Sequence, residues 1–236
     1  MPYSNIKLIS FDLDDTLYDN EPVIKLAEQK SQAFLQSAFE KQQQRFDYQL
    51  FLQYRHELLL SENKKGDEQT YQYENMSILR QQVLSKCCQS LSDGERIAQQ
   101  AFEIFIKYRN QVVIEPEIDS MLSQLNQKYL LVSVTNGNCQ AEKLSIGKLF
   151  GKNYSPEQGY RAKPHPQMLN QIFKDFDLHP SQVLHIGDQA DSDGGAAQRA
   201  GCEFHLFAPF SQGAALRINC NQFVDELRRQ QDKTKK

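Results

Sequence analysis

Apolar and polar positions alternate in two different ways along this chain. Near the start, Ile6, Leu8, Ile9 and Phe11 form a short apolar run. It suits a strand buried on both faces of a parallel sheet. The run ends abruptly in Asp12, Asp14 and Asp15. From Glu21 to Gln111 the period changes: Gly and Pro almost vanish, and apolar residues recur at helical spacing. The first stripe is Val23, Ala27, Phe34 and Ala38; the second is Phe51, Leu58 and Leu59; the third is Met76, Leu79 and Val83. A fourth, Ile97, Ala101, Phe102 and Phe105, follows Ser92-Asp93-Gly94-Glu95, which has the form of a capping box. Asn63-Lys64-Lys65-Gly66-Asp67 reads as a loop, and no internal repeat is visible. The block is expected to be a set of helices inserted after the first strand.

Beyond Glu115-Pro116, strand and helix patterns take turns. Ile118, Met121, Leu122 and Leu125 mark a helix, and Leu130 to Val134 a buried strand ending in Thr135-Asn136-Gly137. A short helix is expected over 139–148, a strand at 152–155 and a loop over 161–166. Met168, Leu169, Ile172, Phe173 and Phe176 form the next helical stripe. Val183 to Ile186 is a strand ending in Gly187-Asp188. A small-residue helix from Gly194 stops at Gly201, and 203–207 is the last strand. Such alternation implies an α/β fold with a doubly wound parallel sheet. Residues 1–20 and 112–236 would form the α/β core and 21–111 a helical cap, with a polar, frayed tail at 228–236. A helical block entering directly after an acidic strand end suggests a lid.

Composition narrows the class. With 236 residues, 39% hydrophobic and 24% charged, the chain suits an ordinary globular protein. A net charge of −3 leaves no electrostatic footprint for nucleic acid or an anionic membrane. No apolar run reaches the roughly 20 residues of a membrane helix, and the first residues do not form a signal peptide. Five cysteines, an odd count with no C-x-x-C pair, argue against a disulfide framework and against zinc. A cytoplasmic location is expected; oligomeric state is not readable.

The strand ends carry the candidate chemistry. In open α/β sheets, ligands bind outside the carboxyl ends of the strands. On a continuing strand Asp12 and Asp14 would point the same way, with Leu13 turned to the interior. Two carboxylates in one small space favour a divalent cation or a retained proton, and magnesium suits oxygen ligands. A lone D-x-D would more often be a solvated strand end than a cation site. The order of Asp12/Asp14, Thr135/Asn136, Lys163 and Asp188 along one sheet edge argues for the latter.

Phe11-Asp12-Leu13-Asp14-Asp15-Thr16-Leu17 resembles the first motif of the haloacid dehalogenase-like hydrolases, the aspartate-nucleophile phosphatases. Tyr18-Asp19-Asn20 and Thr135-Asn136-Gly137-Asn138 are similar to the branch that dephosphorylates flavin mononucleotide and 5-amino-6-(5-phosphoribitylamino)uracil. The resemblance implies a phosphomonoesterase acting on a small phosphorylated metabolite. Asp12 would be the nucleophile and Asp14 the general acid and base. Leu13, Thr135, Asn136 and Lys163 would bind the phosphoryl group. Mg2+ would be held by Asp12, the Asp14 main-chain carbonyl and Asp188. Gly187-Asp188-Gln189-Ala190-Asp191-Ser192-Asp193 leaves the outer acid open between Asp191 and Asp193; spacing prefers Asp193. Other sugar phosphates or nucleotides remain alternative substrates.

Two other readings stand beside this one. A 2-haloacid dehalogenase would not need the second acid, so Asp14 argues against it. A phospho-receiver domain shares strand-end acids, a threonine and a Lys-Pro loop, but places its acids on different strands and lacks a helical insertion. His185 and His205 are expected in the sheet, His56 in solvent, His179 in a turn and His165 near Lys163. Tyr48, Phe51, Tyr54, Tyr71 and Tyr73 are expected mainly as cap core.

Overall fold

A computed structural model describes residues 3, 5–63, 72–210, 220–225, 227 and 229. The loop expected at Lys64–Asp67, Tyr71 and nearly all of the tail expected at 228–236 lie outside the described residues. The chain divides into two compact units, one formed by Met1–Asn20 with Val112–Lys236 and the other by Glu21–Gln111.

The first unit is built on a five-stranded parallel sheet. Its strands are β1 (Leu8–Phe11), β2 (Leu130–Val134), β3 (Lys152–Tyr154), β4 (Val183–Gly187) and β5 (Glu203–Leu206). They lie in the order β3-β2-β1-β4-β5, all pairs parallel. The winding therefore reverses beside β1, between β1 and β4, where open α/β sheets form their ligand crevice. All four residues of β1 are buried, as are all five of β4. Alternate residues serve opposite faces. Ile9, Phe11, Leu184 and Ile186 share one core with Ile118, Met121, Leu122 and Leu125, all four on α5 (Pro116–Asn126). Leu8, Val132, Val134 and Val183 pack on the other face with α6 (Gln167–Asp175) and α7 (Gly195–Ala200). The α7 helix ends at Gly201, whose φ of +79° suits glycine and lets its N–H reach the Ala197 and Gln198 carbonyls.

One expected element is different. Residues 139–148 form no α-helix but two short 3-10 turns, Ala141–Lys143 and Gly147–Leu149. The chain folds back so tightly that a Cβ on Gly147 would lie 2.5 Å from the Ala141 carbonyl oxygen. An α-helix could not make that return.

Among the described residues, the second unit contains four α-helices: α1 (Asn20–Glu40, whose first residue belongs to the first unit), α2 (Tyr48–Asn63), α3 (Met76–Cys88) and α4 (Gly94–Arg109). The buried face of α1 advances in steps of four through Val23, Ala27, Ser31, Leu35 and Phe39. Phe34 and Ala38, assigned to that stripe from sequence, are only partly buried. The row runs through Ser31, whose hydroxyl is satisfied by the Ala101 carbonyl at 2.9 Å. The capping box expected before α4 does not form. Asp93 adopts a left-handed conformation with φ of 56°, and Glu95 instead accepts from the Ser85 hydroxyl at 2.5 Å. Ser92 donates its N–H to Gln42. Asn75 does cap α3: its side chain accepts from the Ser77 and Ile78 N–H groups. Among the described residues, no helix is long and apolar enough to cross a membrane.

Candidate active site

The site grows from the carboxyl ends of β1, β2 and β4. Asp12 follows β1 and still donates its N–H to the Ile186 carbonyl. The strand then stops, so Asp14 does not continue it. Thr16 and Leu17 donate back to the Leu13 carbonyl, and Asp15 takes a φ of 58°. This turn separates the two acids. Asp12 is buried, whereas Asp14 is half-buried and accepts the Tyr18 hydroxyl at 2.5 Å. Leu13 is fully buried, so any contact it makes with a ligand runs through its main chain.

Lys163 is the cation of the site and is 5% exposed. Its ammonium has three hydrogens and three partners: Asp12 Oδ1 at 2.5 Å, Asp193 Oδ1 at 2.6 Å and the Val134 carbonyl at 2.7 Å. Burial alone would lower the Lys163 pKa, but the two carboxylates outweigh it and hold the pKa above its ordinary value. The loop bearing Lys163 is clamped by Asn136, which accepts the Lys163 N–H and donates to the Lys163 carbonyl, each at 2.8 Å. The Asn136 side chain is thus largely committed to the loop. Thr135 accepts the Gly137 N–H at 3.0 Å, which leaves its hydroxyl hydrogen for another acceptor.

The carboxylates gather around this lysine. Asp12, Asp188 and Asp193 each offer an oxygen within 4.8 Å of the others. Burial pushes the Asp12 carboxyl up to about 7 despite Lys163. Asp188, half-buried, is raised first by burial and then by Asp193. Burial would raise Asp193 as well, but Lys163 and the His185 ring prevail and keep it ionised. Of the two outer acids left open by spacing, Asp193 is buried within the cluster and Asp191 is exposed. Asp193 reaches its place because residue 187 is glycine: a Cβ there would lie 2.2 Å from the Asp193 carboxyl carbon.

Three groups were not singled out from sequence. Thr16, fully buried, lies 3.3 Å from Asp12 Oδ2 and 3.4 Å from Asp188 Oδ1. Its position four residues after Asp12 was the available signal. Tyr18 is the second. His185 is the third: it is buried in the sheet as expected, but its Nε2 lies 3.2 Å from Asp193 Oδ1. His165 is exposed and accepts the Gln167 N–H, so it takes part in the local turn.

A parallel sheet wound about β1, an acidic cluster at its carboxyl edge and one buried lysine define a hydrolase class, and the chain belongs to the haloacid dehalogenase-like hydrolase family, whose model matches residues 6–201. The phospho-receiver alternative is thereby set aside. The chain is similar to the 5-amino-6-(5-phospho-D-ribitylamino)uracil phosphatase of Escherichia coli, with 29% identity over 86% of this chain and 83% of that protein. It is similar to the phosphoglycolate phosphatase of Pasteurella multocida, with 36% identity over 39% of this chain and 44% of that one. Among solved structures, the 2-haloacid dehalogenase of Pseudomonas syringae pv. tomato matches with a TM-score of 0.82 and 26% identity, covering 95% of this chain and 99% of that one.

Proposed function

We propose that this chain is a magnesium-dependent phosphomonoesterase that forms an aspartyl-phosphate on Asp12. The carrying observation is charge balance: three converging carboxylates, Asp12, Asp188 and Asp193, face one ammonium, Lys163. The donors are all oxygens, which suits a hard divalent cation. Asp193 already binds Lys163, His185 and the Gln189 N–H, so the cation falls to Asp12, Asp188 and the Asp14 main-chain carbonyl. When bound, magnesium would lower the repulsion between an anionic nucleophile and an anionic phosphate.

The remaining chemistry belongs to the chain. The uncatalysed hydrolysis is so slow that accelerations up to ~10²¹-fold are possible, and a covalent route divides the barrier. The Asp12 carboxylate attacks phosphorus, and the departing alkoxide takes a proton from Asp14. Water then loses a proton to Asp14 and attacks the phosphorus, releasing phosphate and restoring Asp12. The Tyr18 hydroxyl donates to Asp14 Oδ1 and so helps to orient this carboxyl. Lys163 offsets the charge on Asp12, and the Thr135 hydroxyl donates to a phosphoryl oxygen.

The substrate we assign is 5-amino-6-(5-phosphoribitylamino)uracil or flavin mononucleotide, supported by the Escherichia coli relative and by the residues flanking both motifs. The test is a panel of phosphorylated metabolites with magnesium, scored by kcat/KM. A ribityl phosphate preferred at least tenfold over phosphoglycolate is the expected result. Equal or reversed preference defeats the substrate assignment, and no phosphate release from any member defeats the phosphatase.

The dehalogenase neighbour favours a second reading, in which Asp12 attacks carbon and displaces halide. A departing halide needs no proton, so that chemistry has no use for Asp14 and its Tyr18 hydrogen bond. Halide release from 2-chloropropionate without magnesium would favour it over the phosphatase.

A further inference from the structure

We propose that Ser10 and His185 are positioning residues that orient Asp193 and, through it, hold Lys163 against Asp12. The inference rests on the phosphatase reading for its kinetic arm only. Ser10 and His185 are both fully buried and stand directly opposite each other on β1 and β4. By alternation they share the sheet face that carries Leu8 and Val183. They form a polar pair on strands whose other residues are apolar or glycine. Burying a hydroxyl and an imidazole is unfavourable unless their hydrogen bonds are made.

Those bonds run in one line to the nucleophile. Ser10 Oγ lies 2.9 Å from His185 Nδ1, and His185 Nε2 lies 3.2 Å from Asp193 Oδ1. The same Asp193 oxygen lies 2.6 Å from Lys163 Nζ, which lies 2.5 Å from Asp12 Oδ1. The other Asp193 oxygen accepts the Gln189 N–H at 3.0 Å. Asp193 is therefore held from three sides.

The line has a direction. An ionised carboxylate only accepts, so Nε2 of His185 must carry the hydrogen it shares with Asp193. Burial lowers the His185 pKa, so the ring is neutral and Nδ1 is bare. Ser10 must then donate to Nδ1. Its other neighbour, the Leu184 carbonyl at 3.5 Å, is too distant to compete for the single hydroxyl hydrogen. The opposite tautomer would set the Nε2 lone pair against the carboxylate. Ser10 thus selects the ring form that can donate, in the way that outer partners orient metal-ligating or catalytic groups.

The test combines side-chain nitrogen NMR of the folded protein with kinetics on p-nitrophenyl phosphate plus magnesium. His185 in the wild type should show the Nε2–H tautomer, and Ser10→Ala should move it toward a mixture. His185→Phe keeps ring volume and removes both bonds; it should lower kcat by about 10–100-fold while KM changes less than threefold. His185→Gln, which can place an amide donor near the Nε2 position, should recover at least a third of the logarithmic loss. Ser10→Ala combined with His185→Phe should be no worse than His185→Phe alone. An Nδ1–H tautomer in the wild type overturns the proposal whether or not the protein turns over phosphate. So does a folded His185→Phe with kcat within twofold of wild type, or a double variant whose losses multiply. If His185→Phe does not fold, Ser10→Ala decides: unchanged tautomer and unchanged kcat overturn the inference.

Discussion

The Tyr18 hydroxyl donates to Asp14 Oδ1 at 2.5 Å from a fully buried ring. The bond spans the turn that separates the two acids of the first motif. A phenol so confined restrains the Asp14 carboxyl, which the proposed mechanism uses as acid and base. Tyr18→Phe should therefore lower kcat on p-nitrophenyl phosphate by about tenfold, the worth of one hydrogen bond to a charged group. KM should move little, because phosphate binding does not use this bond. Steady-state kinetics with magnesium saturating will check it, and unchanged kcat would remove Tyr18 from the proton path.

Lys163 neutralises two buried carboxylates at once. Lys163→Met keeps the aliphatic stem and leaves Asp12 and Asp193 without their cation. Breaking a buried pair in this way destabilises by about 3–5 kcal/mol. The deficit in denaturant midpoint should shrink as pH falls, because protonating the carboxylates relieves the unbalanced charge. Phosphatase activity should be lost at every pH.

Magnesium should stabilise the protein in a pH-dependent way. Burial raises Asp12 from its ordinary 3.8 to about 7. A carboxyl raised in the folded state favours folding at low pH, and that contribution is lost as pH rises from 3.8 through about 7. A bound cation needs the ionised form and so reverses the penalty. At magnesium one hundred times its dissociation constant, the gain is about 2.7 kcal/mol, or a thermal midpoint shift of about 5–10 °C. The shift should be large at pH 8, small at pH 5.5, and absent in Asp188→Ala, as read by calorimetry.

Asp175 offers a control remote from catalysis. Its carboxylate accepts Lys152 at 2.7 Å, the Tyr154 hydroxyl at 2.6 Å and Gln171 at 2.9 Å. These bonds depress its pKa to about 2. A depressed carboxyl stabilises above its unfolded value near 3.8, and the benefit is lost as pH falls through about 2. Asp175→Asn should lower the thermal midpoint modestly at neutral pH, with the difference closing between pH 4 and 2. Catalysis should be untouched.

Local pattern determined a great deal by itself. Apolar runs marked β1, β2 and β4, because a strand buried on both faces admits few other residues, whereas the less buried β3 and β5 were legible from their place in the strand–helix alternation. Strand ends then nominated Asp12, Thr135, Asp188 and, through its loop, Lys163. Pattern failed where a contact crosses long distances in the chain. The stripe on α1 was displaced because Ser31 counts as polar until the Ala101 carbonyl is brought to it. The capping box at Ser92 was lost to Gln42 and Ser85, which the tertiary fold supplies. Asn136 was nominated as a ligand for phosphate, and nothing in the local sequence showed that its carboxamide also clamps the Lys163 main chain. His185 looked like filler, since nothing near it in sequence shows that Ser10 lies beside it, 175 positions away. Side-chain period reports which face a residue occupies. Only three-dimensional packing decides which donor meets which acceptor there, because a hydrogen bond depends on distance and angle rather than on composition.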